Sequence, residues 1–319
     1  MNGLHVRDAL PTDAEALARL LTDAYLSQWI YTPDQMAGRI GTPKPDRFTL
    51  STGEGTRVVA GLNADPFVAA PGGLRVQVYG DPAAFTPLYL EALTRAHRLG
   101  YRQLLSVVRQ DHRPQVEFLG AAGWRNAYQS WGAHLDLTGF DFAPYRKLEE
   151  KHYLEGTEVH QYAPDSPDAP WDALHRLYAD SLIDTPRNPT TTHDSDSLEY
   201  FREKIAAGRV FATVRRGEVL SYAALGLEPG GVSSEHTATR AGHRNRGLAT
   251  LVKATALTWA RSAGYARAST GGNVANLPML RVNQRLGYLP EPMWLTWVQG
   301  VPTPGLPDPL SDPVATSPA

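Results

Sequence analysis

Apolar residues recur at strand and helix spacing in a regular order through the second half of the chain. A strand-like run at 157–162 leads into a helical run at 170–182. A run that alternates apolar and polar residues follows at 209–215, then a strand-like run at 219–227 and a run rich in β-branched residues at 232–240. The turn signals Arg216-Gly217 and Pro229-Gly230-Gly231 separate them, which favours an antiparallel meander.

A long amphipathic helix follows this meander. Apolar residues at helical spacing, with Arg261 in the last turn and Gly264 beyond it, predict a helix at about 248–263. A strand at 266–270 comes next. Asn276 then caps a second helix with Pro278 in its first turn, and a final strand includes 295–297.

The same order of signals occurs in the first half of the chain. A strand at 5–7 precedes a helix at 13–25, and a strand at 74–79 precedes a helix at 85–99 and an apolar run at 104–108. The chain therefore predicts two related α/β domains in tandem. We place them at 1–138 and 139–300, with a short helix in the connecting segment at 140–155.

Residues 301–319 differ in composition from the rest of the chain. They contain six prolines and no aromatic residue, so they bury little apolar area to offset the entropy of ordering. We expect a loosely held tail.

Composition narrows the class of protein. The 31 basic and 33 acidic side chains nearly balance, and there is no cysteine. The charge balance argues against nucleic acid and a polybasic membrane anchor, and the missing cysteine excludes disulfides and thiolate metal sites. No histidine pair has metal-ligand spacing. We expect a cytoplasmic protein without membrane, nucleic-acid or metal partners.

A basic turn lies between the third strand of the meander and the long helix. Its sequence is Arg244, Asn245, Arg246, Gly247, Leu248 and Ala249. Backbone amides at a helix N-terminus attract anions, and Gly247 lets an anion approach the main chain without a Cβ in the way. Arg240, His243 and Lys253 add to the basic locality. The turn predicts a diphosphate site.

This turn resembles the pyrophosphate loop of the GCN5-related N-acetyltransferase (GNAT) superfamily. The segment at 270–288, TGGNVANLPMLRVNQRLGY, is similar to a second signature of that superfamily at the expected distance. Through the duplication, the whole chain resembles tandem GNAT proteins of the mycothiol synthase type. The resemblance implies two GNAT-like domains, each with a central mixed, mostly antiparallel sheet flanked by helices.

The resemblance also implies an acyl-CoA as co-substrate, with acetyl-CoA as the leading candidate. It places the main chain of Thr237, Ala238 and Thr239 against the pantetheine arm, together with Asn276. Many relatives carry a tyrosine acid at the position of Asn283. This departure leaves the general-acid step unassigned, although Asn283 could still donate a hydrogen bond to the sulfur.

Glu235 and His236 are the candidates for catalysis beside Asn283. Strand alternation places Glu235 on one face with Thr237 and Thr239, so we nominate it as the general base for an incoming amine. His236 would point to the opposite face unless a bulge in the strand re-aims it.

The first half lacks the basic turn. Its corresponding segment reads Gly80-Asp81-Pro82-Ala83-Ala84-Phe85. Asp81 would repel a diphosphate and Pro82 has no N–H to donate. We therefore predict one CoA site per chain, in the second domain.

Several functions remain open at this stage. The leading one is transfer of an acetyl group to a primary amine of a small molecule, by a monomer or homodimer. A CoA-binding sensor or scaffold is the alternative, because Asn283 and the degenerate first half weaken the case for catalysis. An enzyme that modifies tRNA or the ribosome is disfavoured by the neutral charge.

Overall fold

A computed structural model of the chain describes residues 4–25, 30–42, 44, 46–54, 57–67, 70–186, 188 and 195–301. The chain forms two compact units. Unit 1 comprises Met1–Gln129 and Met293–Ala319, and unit 2 comprises Ser130–Pro292. Within the described parts, no helix is long and apolar enough to cross a bilayer, and no cluster of three or more metal-ligating side chains occurs.

The first part of the chain alternates strands and helices. Its strands are β1 (His5–Asp8), β2 (Phe48–Glu54), β3 (Arg57–Pro66), β4 (Gly73–Gly80), β5 (Gln103–Arg109) and β6 (Arg125–Asp136). Its helices are α1 (Ala14–Ala24), α2 (Pro33–Gly41), α3 (Phe85–Arg98) and α4 (Arg113–Ala121).

The rest of the chain repeats this alternation. Its strands are β7 (Thr157–Tyr162), β8 (Arg209–Arg215), β9 (Glu218–Glu228), β10 (Gly231–Thr239), β11 (Arg267–Asn273), β12 (Leu289–Pro290) and β13 (Trp294–Gly300). Its helices are α5 (Arg146–Leu154), α6 (Trp171–Asp184), α7 (Leu198–Tyr200, continued by a π-helical turn), α8 (Leu248–Ser262) and α9 (Leu277–Arg285).

The sheet of unit 1 has the order β1-β2-β3-β4-β5-β13. Only β4 and β5 run parallel; the other neighbours are antiparallel. Apolar side chains of β3 and β4 pack against α3, with Leu62, Leu74, Phe85 and Leu88 fully buried. Burying a side chain of this size contributes roughly 1.5–3 kcal/mol.

The sheet of unit 2 has the order β6-β11-β10-β9-β8-β7, and β12 pairs with β6. Again one pair is parallel, β10 with β11. Helix α6 packs on one face of β9 and β10, and α8 packs against β8, β9 and β10. The α6 face has its own apolar core, which includes Tyr178, Phe201 and Tyr222.

The compact units do not coincide with the two halves predicted from sequence. Residues 130–136 of β6 fall in the first half but belong to unit 2, where they pair with β11. Strand β13 falls in the second half but belongs to unit 1, where it pairs with β5. Unit 1 thus contains β13 from the second half of the sequence, and unit 2 contains residues 130–136 of β6 from the first half. Except for Val301, the predicted tail lies outside the described residues.

The predicted elements themselves are confirmed closely. Strands β7 and β8 match the predicted limits, and α8 ends one residue before the predicted end. Gly264 follows α8 with φ of +91°, as expected for a glycine after a helix. The fold is confirmed as mixed α/β with a mostly antiparallel sheet in each unit.

Candidate active site

Strands β10 and β11 separate partway along their length. They pair only through Gly231, Val232 and Ser233, which face Arg267, Ala268 and Ser269. From Ser234 onward β10 keeps its pairing with β9. Its other edge carries backbone donors and acceptors that β11 does not use, and such groups favour pairing with another extended molecule.

The basic turn follows the open end of β10. Asn245 and Gly247 have positive φ, +62° and +86°. Left-handed residues in a turn direct successive amides toward a common concavity. A Cβ on Gly247 would lie 2.8 Å from a methyl carbon at the end of the Leu148 side chain of α5. That side chain would have to move, and the positive φ is the main reason for glycine here. His152 of α5, almost fully buried, donates through Nε2 to the carbonyl of Arg246 at 2.9 Å.

The backbone amides of this turn are available. Among the described residues, none of the consecutive amides from 245 to 250 donates to a protein acceptor. They coincide with the N-terminus of α8, where the helix dipole also favours negative charge. This arrangement suits the diphosphate of a nucleotide coenzyme, so the residues present fit the predicted acyl-CoA.

Several of the basic side chains near the turn already have partners. Arg244 lies 2.8 Å from a carboxylate oxygen of Asp184, at the end of α6. Arg240 lies 3.3 Å from Glu218. Desolvation and the guanidinium groups of Arg215, Arg246 and Arg240 lower the pKa of His243. Arg246 is exposed and forms no ion pair with another described residue, so it is the cation most available to an anion.

A β-bulge lies at Glu235, because the register of β10 against β9 shifts between Ser234 and His236. The bulge corrects one sequence prediction. The Glu235 carboxylate accepts a hydrogen bond from Ser233, and its Oε1 lies against Gly226, the partner of Ser233. That is the face of His236, so the prediction that Glu235 shares a face with Thr237 and Thr239 is wrong.

His236 is held on the α6 side of the sheet. Its Nδ1 lies 2.7 Å from the Tyr222 hydroxyl and its Nε2 lies 3.4 Å from the Ser181 hydroxyl. Ser181 itself donates to a backbone carbonyl of α6. These contacts fit a neutral ring that donates through Nε2 and accepts at Nδ1. The bulge therefore brings Glu235 and His236 together on one face.

Helix α9 starts as predicted, with the Asn276 side chain accepting from the amide of Met279. Asn283, in its last turn, has no exposed surface, and neither atom of its amide group has a hydrogen-bond partner among the described residues. Tyr288 follows α9 and is also buried, and burial raises its pKa. Its hydroxyl likewise has no described partner.

Lys253 does not belong to the basic surface that the sequence suggested. It is 3% exposed, on the face of α8 that packs against the sheet. Its Nζ lies 2.6 Å from the Ser234 hydroxyl and 5.8 Å from the ring centre of Tyr288. The sequence contained the signal: Lys253 precedes buried Ala256 and Leu257 by three and four residues, a spacing that places it on the same stripe.

The corresponding turn of unit 1 is arranged differently. The Asp81 carboxylate accepts from the amide of Ala83 at 3.0 Å, and the amides of Asp81 and Ala84 donate to backbone carbonyls. The amide of Phe85 donates to the carbonyl of Pro82. Pro82 and Pro87 have no N–H. Little donor capacity remains for an anion.

A comparison with protein families covers most of unit 2. Residues 171–288 match the Acetyltransferase (GNAT) family, and this part of the chain is a GNAT domain. The match includes α6, β10, the basic turn, α8 and α9. The GNAT fold indicates an acyltransferase that depends on acyl-CoA. A search among curated proteins gave no match to the chain.

Solved structures show that the tandem arrangement occurs elsewhere. The chain is similar to a tandem GNAT protein from the clavulanic acid biosynthesis pathway, with a TM-score of 0.58 and 18% identity, over 94% of this chain and 99% of that one. It is also similar to a GCN5-related N-acetyltransferase from Sphaerobacter thermophilus, with a TM-score of 0.60 and 13% identity, over 95% and 97%. The chain thus has a tandem GNAT fold. The narrower likeness to mycothiol synthase stays a prediction.

Sequence reasoning missed the residues that contact the turn and His236 and fix their positions. His152 and Leu148 hold the turn from α5, and Tyr222 and Ser181 hold His236. These contacts join residues far apart in the chain, and no local spacing signals them. Among the missed features, the burial of Lys253 could have been predicted from its position on the apolar stripe of α8.

Proposed function

We propose that the protein is an N-acyltransferase that moves an acetyl group directly from acetyl-CoA to a primary amine of a small molecule, with the reaction in unit 2. The observation that supports this proposal most is the run of backbone amides at 245–250, which have no acceptor among the described residues and lie beside an open strand edge. The turn offers donors to the diphosphate, and the open edge of β10 offers main-chain groups to the pantetheine arm.

The main chain of Thr237, Ala238 and Thr239 lines this open edge and would hydrogen-bond the arm as an added strand does. Asn276, which caps α9, would contribute from the other side. The thioester carbonyl then needs a donor where negative charge develops. We assign that position to a backbone amide on the open edge of β10 beside the bulge at Glu235.

Glu235 would act as the general base, directly or through one water. It is exposed, so an acceptor amine can reach it, and its carboxylate oxygen is already hydrogen-bonded by Ser233. His236 would position the acceptor rather than take its proton, because both ring nitrogens have partners. General-base catalysis of this kind contributes about 10²–10⁴-fold.

The test is thiol release from acetyl-CoA in the presence of a panel of small primary amines. The chain has no cysteine, so a thiol reagent reports only free CoA. We expect release that depends on the amine, and a fall in kcat of about 100-fold for Glu235→Gln with unchanged acetyl-CoA affinity.

If acetyl-CoA binds but no amine of the panel causes release of CoA, the proposed enzymatic activity is contradicted. A CoA-binding sensor or scaffold would then be favoured. The buried Asn283, in place of a tyrosine acid, is the observation that supports this alternative. RNA binding at moderate salt would instead support a modifier of RNA.

A further inference from the structure

Lys253 is a buried lysine of α8. No carboxylate in the described parts of the chain lies within ion-pair distance of its Nζ, and its polar neighbours are the Ser234 hydroxyl on β10 and Tyr288 after α9. Burial lowers the pKa of Lys253 to about 7. A lysine in this condition can give up its proton near neutrality, which an exposed lysine does not do.

Unsatisfied polar atoms surround the same region of unit 2. The Tyr288 hydroxyl, the Asn283 amide group and the Thr237 hydroxyl are buried and lack partners among the described residues. The backbone amide of Tyr288 donates to the carbonyl of Asn283, so these two residues adjoin. Buried polar groups without partners are rare in native proteins and call for an explanation such as a water or a ligand.

Ser234 marks the place where β10 and β11 separate, directly after the last pair, Ser233 with Ser269. From its β-phosphorus to its sulfur, the arm of CoA has about thirteen bonds, as many as slightly more than four extended residues, or roughly 14 Å. An arm that starts at the turn and runs back along β10 from Thr239 would therefore place its sulfur near Glu235 and Ser234.

The two faces of β10 have different chemistry at that point. Glu235 and His236 lie on the α6 face, whereas Ser234 and Thr237 pair with Leu225 and Ala223 and lie on the face covered by α8. Lys253 approaches from the α8 face. A thioester between the strands would have the carboxylate on one side and the ammonium group on the other.

We propose that Lys253 is the catalytic acid that protonates the departing thiolate of CoA. This role rests on the proposed function and supplies the acid that Asn283 does not. The amine nitrogen forms a bond to the acetyl carbon, and the carbon–sulfur bond breaks. The proton of the amine passes to Glu235, and a proton passes from Nζ of Lys253 to the sulfur. Exchange with water restores both groups.

The proposal can be tested on CoA itself, without knowing the acceptor. Because the chain has no cysteine, the only thiol in a complex with CoA is that of the ligand. Its ionisation can be followed by the ultraviolet absorbance of the thiolate as pH is raised. An ammonium group beside the sulfur stabilises the thiolate, and the thiolate in turn keeps the lysine protonated, so the two groups titrate as a coupled pair.

The decisive comparison is between wild type and Lys253→Met, which keeps an unbranched side chain, one atom shorter, and removes the ammonium group. We expect the bound thiol of the wild type to ionise at least one pH unit below that of Lys253→Met. Ser234→Ala removes the hydroxyl partner of Nζ. It should raise the ionisation midpoint of the bound thiol above that of the wild type, but by less than Lys253→Met does. The matched control is Lys204→Met, at an exposed lysine of unit 2, which should behave as wild type.

Equal ionisation midpoints in wild type and Lys253→Met, with CoA bound to both, would overturn the role of Lys253 and leave the proposed function standing. Absence of CoA binding to the wild type would overturn both. Bound CoA also reports that the variant site is folded. In turnover, the Lys253 role predicts that kcat falls as pH rises through about 7, and that Lys253→Met loses this limb while its KM for acetyl-CoA is kept.

Discussion

The turns that follow β4 in unit 1 and β10 in unit 2 occupy the same place in the repeated order of elements but differ in the hydrogen bonds of their backbone amides. In unit 1 the Asp81 carboxylate and nearby carbonyls accept from the amides, and two prolines remove others. In unit 2 the amides from 245 to 250 have no described protein acceptor. The amides of the unit 1 turn are thus largely hydrogen-bonded within the protein, whereas those of the unit 2 turn can donate to a bound anion.

The strands that lead into these turns differ as well. Strand β4 pairs with β3 in unbroken register from Ala60 opposite Gly80 to Pro66 opposite Leu74, whereas β10 has the bulge at Glu235. The helices differ in their buried polar residues. Tyr89 of α3 donates its hydroxyl to Gln299, while α8 buries Lys253. These differences are the reason why the proposed function places the reaction in unit 2.

The largest effect is expected at Gly247. Gly247→Glu places a carboxylate among the free amides, at a position where φ is +86° and Leu148 lies close to any Cβ. Acetyl-CoA affinity should fall at least about 100-fold by calorimetry, because the charge opposes the diphosphate and the backbone conformation is strained.

The matched control is Gly264→Glu. Gly264 follows the other end of α8 with a similar φ of +91° and open space around it. The Gly264→Glu variant adds the same charge and similar backbone strain away from the turn, so its affinity for acetyl-CoA should equal that of the wild type. Equal losses in the two variants would show that the turn has no special role.

The next effect concerns stability and the burial of Lys253. Its pKa is about 7 in the folded state, against 10.5 for a lysine without such burial, so the penalty is complete below pH 7 and disappears as pH rises toward 10.5. At about 1.4 kcal/mol per pKa unit, Lys253→Met should raise the free energy of unfolding at pH 7 by on the order of 2–4 kcal/mol. Chemical denaturation at pH 7 and pH 10 measures this.

Between those pH values the wild type should gain stability and the difference from Lys253→Met should shrink. Lys204→Met should stay within about 0.5 kcal/mol of the wild type at both pH values, as exposed substitutions usually do. If Lys253→Met were no more stable than Lys204→Met at pH 7, the lysine would not be buried as described.

The smallest effect is expected at Arg246, the cation of the turn that has no ion-pair partner among the described residues. Because its side chain is exposed, its attraction to a diphosphate is screened by solvent, and Arg246→Ala should weaken acetyl-CoA binding by about 3- to 10-fold. The loss should diminish in high salt. Arg176→Ala removes the same charge from an exposed position on α6 and should leave the affinity unchanged; a salt-independent loss at Arg246 would contradict the electrostatic account.

Local sequence signals predicted most of the fold and part of the site. Strand alternation, helical spacing and the glycines after helices indicated β7, β8 and α8 nearly to the residue, because these patterns reflect local geometry. The basic turn was found for the same reason, since its amides become free by local chain direction. Asp81 and Pro82 also revealed the different turn of unit 1 from sequence alone.

The remainder depends on contacts between distant residues or on small irregularities. The bulge places the Glu235 side chain on the opposite face of the sheet from the one predicted. The alternation of apolar and polar residues in β10 does not reveal the one inserted residue. Strand β13 falls in the second half of the sequence but belongs to unit 1, where it pairs with β5, and no local pattern indicates a pairing between residues so far apart. The roles of Glu235, His236 and Asn283 stay predictions.

The central claim is that only the turn of unit 2 holds the diphosphate of acetyl-CoA, and the most direct measurement is the stoichiometry of binding. Calorimetric titration of the full chain should give one site per chain, and Gly247→Glu should remove it. Two equivalent sites, or one site that survives Gly247→Glu, would contradict the claim.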